Sequence, residues 1–263
     1  KTLLIGDIGG TNARFALSSV KQPGFTDVQT LQCAEFGSAD DAIKHYIKEV
    51  GAKSPDVICL AAAGPIVEQR VRFTNNPWMI AATELQERFE ISRVRLLNDF
   101  EAIAYSIPFL AEDDCMPFGL PESGALHAEH YTVGIIGPGT GLGSVGLRKH
   151  GDLLLPIAGE ASHGGFAPES NVQIEMLSVL RERYDRVSSE RFVSGPGLEN
   201  IYWALCRLHD EQRPQLKASE IFAKATDRSD PRAAEAVQMF FEMLGQFAGD
   251  FALALGAKDG IFI

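Results

Sequence analysis

The chain has 263 residues, 45% of them hydrophobic and 9% aromatic, enough for one large domain or two modest ones with an ample core. With 35 acidic against 24 basic residues the formal net charge is −11, which argues against a nucleic-acid or anionic-membrane surface. It does not exclude a phosphate site built from backbone N–H groups.

The elements begin with "LLIGDIGGTNARFAL", where strands 3–8 and 13–19 flank a turn of small residues. A third strand is expected at 28–36. Ala42, Ile43, Tyr46, Ile47 and Val50 then carry a helical period over 39–50. Strands follow at 56–62 and 67–73 around a Gly64-Pro65 loop, then a helix near 81–90 and the strand "VRLL" at 94–97. "NDFEAIAYSI" opens a helix with Asn98 or Asp99 at its start, a favoured place for such side chains. Strands alternating with crossovers imply an α/β domain with a mixed sheet.

Residues 108–130 form a connector rich in Pro, Gly and acidic residues. "YTVGIIGPGTGLGSVGLRK" then echoes the opening: an apolar strand, a Gly-Thr-Gly turn and a second strand. "GDLLLPIAGEASHGGFAP" leads into a helix at 169–184, with further helices near 196–209 and 218–226. The longest helix is expected at 230–256, where Val237, Phe240, Phe241, Leu244, Phe247, Phe251 and Leu255 mark a core face. The sequence ends on "DGIFI", an apolar, strand-like run. Cys33, Cys59, Cys115 and Cys206 are scattered without a CxxC pair, so neither disulfides nor structural zinc is expected. No apolar run approaches the ~18 residues of a membrane span and no signal peptide is read, so a soluble, cytoplasmic protein is expected.

Two strand–turn–strand units suggest a pair of phosphate clamps, because small residues leave N–H groups exposed and let a phosphate approach closely. Two plain tight hairpins are the alternative. Asp7, leading into the first turn, could hold Mg²⁺, which prefers oxygen ligands; Thr11 and Thr140 would add hydroxyls. Asp99 could accept a proton from a substrate hydroxyl, or simply share the capping of its helix with Asn98. Glu160 and His163, three apart in a loop of small residues, could fork onto adjacent hydroxyls of a sugar ring, or line a polar surface loop. Glu190 reads as a helix-start carboxylate behind Ser188 or Ser189. Neither GxSxG nor GxxxxGK[ST] occurs, which removes a hydrolase elbow and a P-loop.

Together "DIGGTNARFAL", "TNNPW", "LLNDFEAIAYSIP", "GPGTGLG", "AGEASHGGFAP" and "ERFVSGPGLENIY" resemble the bacterial-type glucokinases of the hexokinase-like superfamily, in the group without the repressor-type zinc motif. The resemblance runs from residue 2 to the last residue. It implies a two-domain α/β kinase fold of the actin-like, hexokinase-like (ribonuclease H-like) type. A small domain at 1–107 would carry the first phosphate loop and the catalytic Asp. A large domain at 108–263 would carry the second loop and the sugar-binding residues. It further implies ATP-dependent phosphorylation of D-glucose at its 6-hydroxyl, with ATP and Mg²⁺ as cofactors and a homodimer as the assembly.

Carried over by position, Gly6, Asp7, Ile8, Gly9, Gly10 and Thr11 match the first phosphate segment, with Asp7 the Mg²⁺-phosphate aspartate, direct or through water. Gly139, Thr140 and Gly141 match the second phosphate loop. Asp99 matches the catalytic base, and Asn98, Asp99, Glu160, His163 and Glu190 match the residues at the sugar. Two departures stand out. Ala161-Ser162 replaces the family's Gly pair between Glu and His. The family's glycine-rich adenosine-binding turn and final helix, which follow "GIFI", are also missing from this sequence. A non-catalytic sugar-binding regulator, a kinase for another hexose and a plain actin-like ATPase are the alternative readings.

Overall fold

In a computed structural model, residues 1–73, 76–118 and 128–263 are described. Thr74 and Asn75 of "TNNPW", and 119–127 of the connector, lie outside the described residues. The chain divides into two compact units, Lys1–Ile103 and Ala104–Ile263, each with its own hydrophobic core.

The first unit holds a five-stranded mixed sheet, in the order β3-β2-β1-β4-β7. Its strands are β1 (Thr2–Ile8), β2 (Asn12–Ser19), β3 (Gln22–Gln32), β4 (Val57–Ala62) and β7 (Val94–Asn98). β1 runs antiparallel to β2 and parallel to β4, which is itself parallel to β7. Leu4 and Ile8 are fully buried on one face of β1. Between them Gly6 must be glycine, since a Cβ there would fall 2.8 Å from Leu60 Cδ2 and 2.9 Å from Phe15 Cδ1. Helix α1 (Ala39–Glu49) starts at Ser38, whose Oγ accepts the Asp41 N–H (3.2 Å), and buries Ala39, Ala42, Ile43 and Tyr46. A two-stranded ribbon, β5 (Arg70–Arg72) with β6 (Met79–Ala81), leads into α2 (Ala82–Phe89), which ends at the left-handed Glu90 (φ 54°). Helix α3 (Asp99–Ser106) follows β7, and the division between the units falls inside it.

The second unit repeats the plan with a four-stranded sheet in the order β10-β9-β8-β11. Here β8 (His130–Pro138) pairs antiparallel with β9 (Leu142–His150), β9 with β10 (Leu153–Ala158), and β8 lies parallel to β11 (Ile261–Phe262). Each sheet admits its parallel neighbour by the same device. Thr2 N–H donates to Asp56 Oδ2 (2.7 Å) while Asp56 N–H donates to Thr2 O (2.9 Å). Thr132 N–H donates to Asp259 Oδ2 (2.8 Å) while Asp259 N–H donates to Thr132 O (3.3 Å). Helices α4 (Asn171–Leu180), α5 (Gly195–Leu208), α6 (Ala218–Thr226) and α7 (Pro231–Leu255) complete the unit.

Several sequence expectations shift. The third strand, expected at 28–36, lies at Gln22–Gln32 and stops before a 3-10 turn at Cys33–Glu35; as an edge strand it leaves Phe25 and Val28 exposed, so no buried pattern marks its start. The strand expected at 67–73 is ordered as β5 at Arg70–Arg72, with Val67 in a single bridge to Arg70. The helix expected at 169–184 is shorter: Ser170 caps its start by accepting the Gln173 N–H, and after Leu180 the chain passes into a turn in which Arg183 and Tyr184 N–H both donate to Leu180 O. In α7 the buried seam is Ala233, Ala236, Phe240, Met243, Leu244 and Phe247, while Phe241 is 56% exposed, about 100° around the helix from Phe240. Phe251 and Leu255 close instead over Gly134 and Gly146 of the sheet, where any Cβ would collide with them.

Candidate active site

In the first unit, β1, β4 and β7 run parallel and end together: Ile8 aligns with Ala62, and Ala62 with Asn98. The carboxyl ends of neighbouring parallel strands are where open α/β sheets place ligands. Asp7, the Gly9–Thr11 turn, Asn98 and Asp99 therefore share one edge of this sheet. Asp7 bonds Arg14 Nη1 at 3.0 Å, and both side chains are more than half exposed.

The turn closes with Gly9 N–H on Asn12 O (2.9 Å). Cys33 holds it from behind, its N–H on Thr11 O (2.9 Å) and its Sγ 3.7 Å from Gly9 O. Because a trans peptide points its C=O and N–H in opposite directions, a Gly9 carbonyl turned toward Cys33 turns the Gly10 N–H away from it. Burial pushes the Cys33 thiol up, which keeps it a donor; its own backbone amide and the Asn76 side chain act the other way. Neither Gly9 nor Gly139 has a left-handed backbone, so these glycines contribute open space rather than an unusual φ.

Asn98 is tied at both ends. Its Nδ2 donates to Gly64 O (3.0 Å), and its Oδ1 accepts the Phe100 and Glu101 N–H groups (2.9 and 3.4 Å). Gly64 has φ +144°, so the loop after β4 requires glycine to offer that carbonyl. Asn98→Ala is expected to destabilise the first unit by about 1–2 kcal/mol through the lost cap and carbonyl bond. Urea denaturation checks this.

Asp99 is half-buried, and Oδ1 accepts its neighbour's N–H, from Phe100, at 3.0 Å. Burial pushes its carboxyl up from the ordinary range; the Phe100 amide pulls it down, and the charge of Asp7 raises it further. A helix start favours the charged form of an aspartate, and here burial outweighs it.

The second unit assembles the other residues. Gly139–Gly141 forms the turn between β8 and β9, with Gly139 N–H on Gly141 O (2.7 Å). His163 Nε2 lies 3.7 Å from Glu160 Oε2, and its Nδ1 lies 3.9 Å from Glu190 Oε1. Those separations exceed direct hydrogen bonds, leaving polar valences for hydroxyls placed between the three side chains. Ala161–His163 forms a 3-10 turn, and neither Ala161 nor Ser162 has a positive φ. The loop has no need of the Gly pair at those two positions. Arg186 Nη2 donates to His163 O (3.2 Å), fixing the turn.

Glu190 does more than face His163. Its Oε2 accepts the Leu142 N–H at 3.0 Å, just past the second turn. Nothing local to "SSERFVSGPG" reports this, because the partner lies 48 positions away. Arg14 and Cys33 also escape a sequence reading, since each acts across a strand pairing.

Two mixed sheets, each opening on a hairpin with a turn of small residues, give the actin-like, hexokinase-like fold of sugar kinases. A ROK family glucokinase from Streptomyces griseus, solved in complex with glucose and AMPPNP, shares the fold at TM-score 0.59 and 17% identity, over 97% of this chain and 80% of that one. The glucokinase family profile matches residues 4–263, and the chain belongs to that family. It is 39% identical to a glucokinase of Chromohalobacter salexigens, over 99% of this chain and 80% of that protein. A glucokinase crystal structure from an Antarctic psychrotroph superposes at TM-score 0.87 with 31% identity, over 100% of this chain and 82% of the other.

Proposed function

We propose that this chain transfers the terminal phosphoryl group of ATP to the 6-hydroxyl of D-glucose, giving glucose 6-phosphate and ADP. The observation that carries the reading is Asp99: a half-buried carboxylate at the carboxyl end of a parallel strand, which shares the Phe100 N–H with Asn98 through Oδ1 alone. The first unit supplies the Gly6–Thr11 phosphate segment and the base; the second supplies Gly139–Gly141 and the sugar-binding side chains. Glu160, His163 and Glu190 hold the ring hydroxyls, and Asn98 orients the sugar beside Asp99.

The transferred phosphoryl passes through a loose transition state, so positioning and charge neutralisation carry most of the rate. Asp99 takes the hydroxyl proton, which leaves late. Backbone N–H groups in turns of small residues are the donors suited to offset charge on phosphate oxygens. Asp7 would hold Mg²⁺ with phosphate oxygens and water. It offers an exposed carboxylate, and its charge already burdens Asp99, a field that a divalent cation relieves. Mg²⁺ supplies neutralisation of the triphosphate charge when bound. A cytoplasmic homodimer acting in glycolysis is the setting this activity fits. Among the described residues no helix is long and apolar enough to cross a membrane.

A panel of glucose, mannose, fructose and N-acetylglucosamine, read by ADP release, tests the substrate. Glucose is expected to give the highest kcat/KM. Faster release with another sugar would reassign the substrate, and sugar binding without release from any of them would favour a non-catalytic binder.

A further inference from the structure

Residues 190–195 grip the second turn from both sides. Gly195 N–H, at the start of α5, donates to Gly139 O at 2.8 Å. On the other side Glu190 Oε2 accepts the Leu142 N–H at 3.0 Å. The gripping segment is itself closed, because Ser194 Oγ donates to Glu190 O (2.8 Å) and accepts the Gly197 N–H (2.9 Å). Contact at Gly141 is so close that a Cβ there would sit 2.6 Å from Glu190 Oε2. The second oxygen of the same carboxylate, Oε1, faces His163. One side chain thus spans the sugar-side cluster and the glycine turn.

We infer that Glu190 is a positioning residue for the second phosphate turn as well as a sugar ligand, and that Gly141 in turn sets where the Glu190 carboxylate lies. The inference rests on the kinase reading above. Its physical content is reciprocal. Removing the carboxylate frees the Leu142 N–H and lets the turn drift, which weakens the nucleotide even when no sugar is present. Adding a methyl group at residue 141 pushes the carboxylate off its place, which weakens the sugar even when no nucleotide is present. A Glu190 that served the sugar alone would do neither.

The test is equilibrium binding by calorimetry, with glucose alone and with AMPPNP–Mg²⁺ alone, on the unaltered chain and on Glu190→Ala, Glu190→Gln and Gly141→Ala. Glu190→Ala is expected to lower AMPPNP affinity roughly 5-fold or more, in the range of ordinary coupling between sites. Glu190→Gln keeps an acceptor for the Leu142 N–H and is expected to stay within about 2-fold of the unaltered chain. Gly141→Ala is expected to lower glucose affinity roughly 5-fold or more. If Gly141→Ala loses its cooperative melting transition, the Ala-against-Gln contrast at residue 190 decides alone. AMPPNP affinity unchanged in Glu190→Ala, or equally damaged in Glu190→Gln, overturns the inference; so does glucose affinity unchanged in a folded Gly141→Ala. Failure of the unaltered chain to bind either ligand overturns the kinase reading, and this inference with it.

Discussion

Asp99→Asn is expected to lower turnover at least ~100-fold while glucose affinity stays within an order of magnitude. Asparagine keeps the shape and the acceptor for the Phe100 N–H, so the start of α3 survives and only the proton acceptor is lost. The same substitution should make the protein more stable near neutral pH. Asp99's carboxyl is pushed up by burial, so the folded state binds its proton more tightly than the unfolded chain does. Its contribution is therefore favourable at low pH and falls away as pH rises through the folded pKa. Above both pKa values the cost of a half-buried charge is fully present, and an amide avoids it. A higher melting temperature together with a collapsed kcat identifies a residue kept for chemistry. The acid limb of kcat/KM should also fall at a higher pH than an ordinary aspartate would give. Near-normal turnover in Asp99→Asn would remove the base assignment.

Gly197→Ala is expected to cost about 3 kcal/mol or more. In most helices exchanging glycine for alanine gains close to 1 kcal/mol, so the sign alone is informative. Here a Cβ would fall 2.3 Å from Phe192 O and 2.4 Å from Phe192 C. These are backbone atoms that no rotamer change moves aside. Relief requires shifting the start of α5, which breaks the Ser194 Oγ bond to the Gly197 N–H and disturbs the Gly195 bond to the second turn. Guanidinium denaturation followed by the second unit's Trp203 fluorescence checks the loss. A neutral or stabilising result would mean that α5 starts elsewhere.

What the sequence revealed followed from periodicity and local punctuation. Apolar runs flanking the small-residue turn of "LLIGDIGGTNARFAL" and of its echo at 131–149 placed both hairpins, and the helical spacing within 39–50 placed α1. Apolar pattern also misled: β10 escaped because "LLLPIA" does not alternate and carries Pro156, which an edge strand tolerates. The edge strand β3 was displaced for a related reason, since Phe25 and Val28 are exposed and no burial pattern marks its start. For the site, residues adjacent to glycine turns or strand ends stood out. The contacts of Cys33, Arg14 and Glu190 did not, because each depends on a partner brought in by tertiary pairing.

The matched Thr–Asp closures of the two sheets differ in span. Thr2 meets Asp56 across 54 positions, whereas Thr132 meets Asp259 across 127. During synthesis from the amino end, β4 is available to β1 early, and the first sheet can form while the rest of the chain is still being made. The β8–β9–β10 meander must wait through the making of four helices before β11 arrives. Throughout that interval the outer edge of β8 keeps unpaired backbone groups, a template for wrong partners. Gly134, on that same strand, stays bare until Phe251 and Ile261 reach it. The second unit is thus the slow folder of the pair and the one that most needs shelter at birth.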